Sequence, residues 1–169
     1  MQEFRFRAPR YLDLRPLNDW EWLFLMQHYG LPTRLLDWTE SSLIGLYFAL
    51  RDHRETHDAA VWMLNDWAPA TEGKTVGGVL PVAIKPVQAS PRITAQKGFF
   101  TIHGTDVGAM DRLSSSHSNK GPGLRKLTIP KTHVEKMRRD LTIAGITETT
   151  VFQELDGLSR ELKAWFFGT

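Results

Sequence analysis

Apolar and polar positions along this chain change period twice, from helical spacing to short runs and back. Trp22, Leu23, Leu25, Met26 and Tyr29 recur at the spacing of a helix face. Asn18 stands where a side chain caps the first turn, and Glu21 three residues on can reach back as in a capping box. Gly30 supplies a left-handed residue beyond the last turn and Pro32 blocks continuation, so this helix ends near Tyr29. A second helix is predicted with Thr39 as its cap, Glu40 at its positive end, and Leu43, Ile44, Leu46, Tyr47, Phe48 and Leu50 on a wide apolar face that predicts extensive burial. Gly45 costs about 1 kcal/mol relative to Ala inside a helix, which predicts close packing against another backbone.

Beyond this pair the apolar runs shorten. Residues 59–64, 79–84, 99–103 and 124–129 are rich in apolar or aromatic side chains, bounded by Gly, Pro or Asp, and predict strands. Helical spacing returns in two more segments, one capped by Thr132 with Glu135 three residues later and ended by Gly145, the other over residues 158–167. No internal repeat is present. The order predicts an α+β fold, a single domain with a small mixed or antiparallel sheet and packed helices. Residues 1–17 form a basic lead-in with Arg5, Arg7, Arg10 and Arg15 among Phe4, Phe6, Tyr11 and Leu14. It reads as a short amphipathic helix, or as a tail docking one aromatic face. The domain proper spans 18–169. Residues 104–123, with Ser114-Ser115-Ser116 and Gly121-Pro122-Gly123, exceed an ordinary connector and predict a flexible loop or lid.

Composition narrows the classes. With 169 residues, 41% apolar content and six Trp, the chain can bury one core. No apolar run spans a bilayer and no signal segment precedes the first helix, which predicts a cytoplasmic protein without a membrane partner. The absence of cysteine excludes disulfides, thiolate metal sites and Cys nucleophiles. A net charge of +2 is spread along the chain and argues against nucleic acid as the main partner.

Two constellations can carry chemistry. Gln27-His28-Tyr29-Gly30-Leu31-Pro32-Thr33-Arg34-Leu35-Leu36-Asp37-Trp38-Thr39 places an imidazole, a guanidinium, a carboxylate and hydroxyls between two helices. In one reading Arg34 pairs with Asp37, Thr39 caps, and His28 bonds a carbonyl of its last turn. In the other, Arg34 and the start of the second helix form an anion site. Arg92-Ile93-Thr94-Ala95-Gln96-Lys97-Gly98-Phe99-Phe100-Thr101-Ile102-His103-Gly104 sets Gln96, Thr101 and His103 among aromatic walls, either as a stacking pocket or as a core strand with a satisfied loop. Other matches fail on spacing. Gly73-Lys74-Thr75 has Ala68 where a phosphate loop needs Gly, and His53 and His57 lack the adjoining Glu of a zinc protease because Arg54 stands there. No metal site is expected.

The run Trp22-Leu23-Phe24-Leu25-Met26-Gln27-His28-Tyr29-Gly30-Leu31-Pro32-Thr33-Arg34-Leu35-Leu36-Asp37-Trp38-Thr39, followed by Leu46-Tyr47-Phe48-Ala49, strongly resembles the FRG domain family. Asp58-Ala59-Ala60-Val61-Trp62, residues 92–104, Ile129-Pro130, Gly145-Ile146 and Leu155-Asp156-Gly157-Leu158 extend the resemblance over residues 4–160. The Phe/Tyr-Arg-Gly triplet that names the family does not occur, since Phe4-Arg5 and Phe6-Arg7 both lack the Gly; the chain reads as truncated or divergent there. FRG domains resemble bacterial and phage conflict modules, so the resemblance implies a toxin or phage-defence role.

A further analogy, to ADP-ribosyltransferases, implies an ADP-ribosyltransferase-like α+β fold and NAD as the cofactor. In that analogy Trp38-Thr39-Glu40-Ser41 matches a Ser-Thr-Ser strand end, and Gln96-Lys97-Gly98 matches the catalytic Gln/Glu-x-Glu with Gly98 in place of Glu. Asp37 would then be the recruited carboxylate, with His28 as a second catalytic group. Arg34 would hold a phosphate, Thr39 and Ser41 would contact ribose or phosphate, and Gln96, Thr101 and His103 would surround the base. The leading expectation is thus a nucleotide-type or NAD-type ligand cleft. The alternatives are a non-catalytic module serving a protein partner or a homo-oligomer, and, third, a nucleic-acid-binding domain.

Overall fold

A computed structural model describes residues 1–53, 56–65, 81–86, 91–105, 108–110 and 123–168. Among them lie two small antiparallel sheets and a set of helices, an α+β domain. None of the helices is long and apolar enough to cross a membrane. Most of residues 104–123, part of the strand expected over 79–84 and the Gly73-Lys74-Thr75 triplet lie outside the described residues.

Helix α1 (Gln2–Arg7) and a 3₁₀ turn (Ala8–Tyr11) form the lead-in, which docks one face on α2 (Asp19–His28). Phe4 meets Trp22 edge-on at 6.3 Å, and Arg5 pairs with Asp19 at 2.7 Å while lying over the Trp22 ring. Asn18 caps α2, its Oδ1 accepting the Glu21 amide at 3.0 Å. The Glu21 carboxylate accepts the amide of Leu17 at 2.6 Å, so the expected reciprocal bond to the backbone of Asn18 is displaced by one residue. At the other end Gly30 has φ +74°, and the amides of Gly30 and Leu31 return to Gln27 and Met26. This paired closure satisfies two orphan carbonyls of the last turn.

The stretch after Pro32 departs from the sequence reading. Residues expected only to connect two helices form strand β1 (Leu35–Thr39), antiparallel to β4 (Gly98–Ile102), with Leu35 opposite Ile102, Asp37 opposite Phe100 and Thr39 opposite Gly98. Strand β3 (Val82–Ile84) pairs on the other edge of β4. Leu35 faces the core with Phe24, Ile84, Phe100 and Ile102, and Asp37 follows on that face two residues later. Thr39 therefore ends a strand instead of capping a helix. Its hydroxyl accepts the Ser41 amide at 3.0 Å and donates to the Gln96 carbonyl at 2.7 Å, and Ser41 caps α3 (Ser42–Arg51).

Helix α3 is less buried than its composition predicts. Ile44, Tyr47 and Leu50 form one buried stripe, while Leu43 and Phe48 remain 46% and 43% exposed. Gly45 faces side chains and no close backbone. A β-carbon there would stand 3.6 Å from Thr39 Cγ2 and 3.8 Å from Val61 Cγ1, which is ordinary contact.

The second sheet pairs β2 (Ala59–Asn65) with β5 (Gly123–Ile129) along seven residue pairs. Its core unites Tyr47 and Leu50 with Ala59, Ile129, Val134, Leu141, Val151 and Phe152. Helix α4 (Pro91–Ala95) leads into β4, and α5 (Lys131–Ile143) follows β5. Thr132 lies inside α5 and does not cap it. The Lys131 amide is satisfied by the Asp58 carboxylate at 3.0 Å, from a residue 73 positions earlier. Gly145 ends this helix as expected, at φ +80°. Helix α6 (Glu148–Phe152) has a capping box of Thr147 and Thr150, and α7 (Leu155–Phe167) starts three residues before the predicted helix.

Candidate functional site

A cavity of about 380 Å³ opens between the C-terminal half of α2, the end of β1 and the α4–β4 corner. Phe24, Gln27 and His28 come from α2, Asp37, Trp38 and Thr39 from β1, Phe48 from α3, Arg92, Ile93 and Gln96 from the α4 side, and Gly98, Phe99 and Phe100 from β4. The β1–β4 register brings Asp37 to it, because the alternation that buries Leu35 turns Asp37 toward the same helix.

Asp37 is exposed and held from α2. Gln27 Nε2 donates to its Oδ2 at 2.7 Å, while Gln27 Oε1 accepts the Thr33 hydroxyl at 2.5 Å and Thr33 Oγ1 accepts the Leu35 amide at 3.1 Å. His28 does not bond a carbonyl of its own helix. Its Nε2 lies 3.6 Å from Glu154 Oε1, an ion-pair distance too long for a hydrogen bond, and its ring meets Tyr29 edge-on. The buried Gln96 Nε2 has no hydrogen-bond partner, although amides so placed are nearly always satisfied.

Arg92 supplies the positive charge. Its guanidinium lies 4.9 Å from the Phe152 ring centroid, and it makes no ion pair or hydrogen bond among the described residues. Two other guanidiniums share that ring, Arg51 at 4.7 Å and Arg160 at 4.8 Å, but both are neutralised by Glu148. Glu148 also accepts the Tyr47 hydroxyl at 2.6 Å. Burial alone would raise the Glu148 carboxyl; the hydrogen bonds from Arg51, Tyr47 and Arg160 outweigh it and hold the group below the usual range. The same burial, with Glu148 adjoining, pushes the Tyr47 phenol well above its ordinary value. Arg51 is also held above its ordinary value, because Glu148 outweighs a burial effect of opposite sign. Three guanidiniums around this ring, against the Glu148 carboxylate and the exposed Asp52 carboxylate 3.5 Å from Arg51, leave one positive charge in excess.

The remaining residues named from sequence lie elsewhere. Arg34 does not pair with Asp37; its guanidinium donates to the Gly104 carbonyl, and its own carbonyl accepts the His103 amide, which prolongs the β1–β4 ladder. Neither Arg34 nor His103 lines the cavity. Thr101 is fully buried, its hydroxyl accepting Trp38 Nε1 at 3.0 Å and contacting the Met110 sulfur at 3.7 Å. Ser41 lines a neighbouring cavity of about 670 Å³ between the two sheets, which shares Trp38, Thr39 and Phe99 with the first. A third cavity, of about 620 Å³, shares Asp37, Trp38 and Phe48. The structure thus brings His28, Asp37, Thr39 and Gln96 together. It adds two residues to which the sequence reading gave no role, Gln27 and Arg92. Gln27 shares a helix face with Phe24 and His28, which is a weak signal; nothing in the sequence marks Arg92 as a guanidinium that lacks a carboxylate.

Among the described residues no three His, Asp or Glu side chains converge as a ligand group. His53 Nε2 bonds the His57 carbonyl at 2.7 Å, closing a local turn.

No curated protein and no solved structure matches the chain. A family match covers the first part of the resemblance read over residues 4–160 and stops before α4 and β4. It is to the FRG domain, over residues 1–58, so the segment that supplies Gln27, His28, Asp37, Thr39 and Phe48 to the cavity is the one similar to that family.

Proposed function

We propose that the cavity between α2, β1 and the α4–β4 corner binds a nucleotide-type ligand, with Arg92 taking its phosphate and Asp37 a sugar hydroxyl. The observation that carries this reading is the guanidinium of Arg92, unpaired among the described residues, in the same cavity as a carboxylate held in place by Gln27. An arginine relieved of carboxylates offers its donor fork to a phosphate. Gln96 Nε2 offers a second donor without a partner, and Phe48, Trp38 and Phe99 offer apolar walls for a base. The volume lies in the range of small-molecule pockets, roughly 300–1,000 Å³, and the adjoining cavities extend it for a dinucleotide.

NAD fits this donor set. Bound there, it would supply a labile ribosyl bond, and Asp37 would place negative charge where positive charge develops on the ribose. The β1–β4 register supports Asp37 in that role. Gly98 stands opposite Thr39, so the carboxylate absent at Gly98 is offered by the neighbouring strand two residues away. On this reading the FRG domain is an ADP-ribosyltransferase-like module of a conflict or toxin system.

Titration calorimetry with NAD, ADP and adenosine tests binding. Affinity for NAD and ADP that Arg92→Ala reduces at least tenfold supports the phosphate role, and a wild-type protein that binds none of the three overturns the reading. Transfer of labelled ADP-ribose that Asp37→Asn abolishes tests turnover. Binding without any NAD consumption leaves a non-catalytic nucleotide module, a second reading favoured by the absence of any carboxylate except Asp37 from the cavity lining among the described residues.

A further inference from the structure

The edge of β1 turned away from β4 is a row of main-chain groups without partners. The Arg34 carbonyl accepts the His103 amide, and the Glu40 amide donates to the Lys97 carbonyl. In the same register Leu36 and Trp38 exchange their bonds with Thr101 and Phe99. An antiparallel ladder alternates, so the N–H and C=O groups of Leu35, Asp37 and Thr39 point to the free edge. The Thr33 hydroxyl takes the Leu35 amide at 3.1 Å, whereas the Asp37 main chain and the Thr39 amide bond nothing among the described residues. Strand β2 pairs only with β5 among the described residues and is an edge too. Leu36, Asp37 and Trp38 of β1 and Ala60, Val61 and Trp62 of β2 line the cavity of about 620 Å³, although the two strands belong to different sheets.

We propose that an extended segment of a partner protein adds as a strand to the edge of β1 and occupies the gap toward β2. Asp37 offers a donor and an acceptor and Thr39 a further donor two residues on, a spacing that another extended backbone matches group for group. The alternation also sets the side chains. Residues of the added strand that lie on the face of Leu36 and Trp38 meet an apolar lining. The residue paired with Asp37 lies on the face of its carboxylate, with the two α-carbons about 5.5 Å apart, where an opposite charge is the favourable cross-strand neighbour. Asp37 is the one charged residue in the described lining of this cavity, so the segment alternates apolar and polar residues with a basic residue among the polar ones. Strand addition stands apart from the nucleotide reading, because Arg92 does not line this cavity.

Fluorescence anisotropy of labelled acetyl-Val-Thr-Val-Lys-Val-Thr-amide, titrated with the full chain, tests it. A micromolar Kd is expected. N-methylation of the Lys amide removes the donor to the edge and should weaken binding at least tenfold, whereas N-methylation of the preceding Val, whose amide points away from β1, should change it little. Replacing Lys by Glu in the peptide should weaken binding about fivefold. Asp37→Asn should erase that preference and keep the N-methyl effect, and Arg92→Ala should leave the peptide affinity unchanged. A wild type that does not bind the peptide at high micromolar concentration overturns the proposal. Equal losses from the two N-methylated peptides, or a Lys preference that survives Asp37→Asn, overturn it as well.

Discussion

Gln27 donates its side-chain amide to the Asp37 carboxylate at 2.7 Å and thereby ties the last turn of α2 to the middle of β1. Thr33, accepting from the Leu35 amide and donating to the Gln27 oxygen, fixes which way that amide faces. The carboxylate is consequently aimed, although it is exposed to solvent. Gln27→Leu is expected to cost about 1 kcal/mol of stability, the net value of one such hydrogen bond. It should weaken the nucleotide ligand about tenfold, because Asp37 then has to be ordered by the ligand itself. Thermal unfolding and titration calorimetry on the same variant separate the two effects; an unchanged affinity would show that Asp37 needs no holding.

The Glu148 hub makes stability depend on acid. Its folded carboxyl sits below the unfolded value, since Arg51, Tyr47 and Arg160 outweigh the cost of burial. A depressed carboxyl contributes in full above the unfolded pKa, and the contribution fades as pH falls through the folded one. Glu148→Gln is therefore expected to cost about 2 kcal/mol near neutrality, where charge-assisted bonds are lost, Arg160 is left without a carboxylate and Arg51 keeps only the exposed Asp52. The gap between wild type and variant should shrink as pH falls below about 4. Urea unfolding across that range checks it; a gap that stays constant would mean that Glu148 acts through shape alone.

Much of the fold was legible where local signals agree. Asn18, Gly30 and Gly145 each require a particular backbone or hydrogen bond, and the structure uses them as the sequence implies. The strands over 59–64, 99–103 and 124–129 carry apolar runs that only a sheet buries at that length. Strand β1 was hidden because Arg34 and Asp37 interrupt its apolar positions, and its extended form is decided by pairing with β4, more than sixty residues away. The caps of α3 and α5 were misplaced for a similar reason. Thr39 has a better partner in the Gln96 carbonyl, and Asp58 reaches α5 through the tertiary fold. At the candidate site, one-dimensional spacing grouped Arg34 with Asp37. The alternation of β1 separates them, and the arginine that lines the cavity with Asp37 is Arg92.

The two helical glycines should respond to alanine with opposite signs. At Gly45 an added β-carbon meets only Thr39 and Val61 methyl groups at 3.6 and 3.8 Å, so Gly45→Ala is expected to stabilise by about 1 kcal/mol through helix propensity. At Gly157 the same carbon would stand 2.9 Å from Phe152 Cβ and 3.0 Å from the Glu148 carbonyl oxygen, and the latter, being backbone, can move only with α6. Gly157→Ala is expected to destabilise by about 1–3 kcal/mol, the usual cost of overpacking. Paired thermal denaturation curves decide both, and the same sign for the two would contradict this account of helix packing.

Thr101 gives a sharp test because the sequence reading placed it beside a ligand and the structure places it beneath a wall of the cavity. Its hydroxyl is fully buried and accepts the indole N–H of Trp38, the residue that three neighbouring cavities share. Thr101→Val keeps the shape and the β-branched preference for a strand, and removes the hydroxyl that accepts from Trp38 and donates weakly to the Met110 sulfur. The stranded Trp38 N–H should cost about 1–3 kcal/mol. The loss should be largely recovered in Trp38→Phe/Thr101→Val relative to Trp38→Phe alone, since no indole donor is then left to satisfy. A double-mutant cycle by chemical denaturation measures that coupling. Additive losses would show that the Trp38–Thr101 bond contributes nothing and that Thr101 matters through packing only.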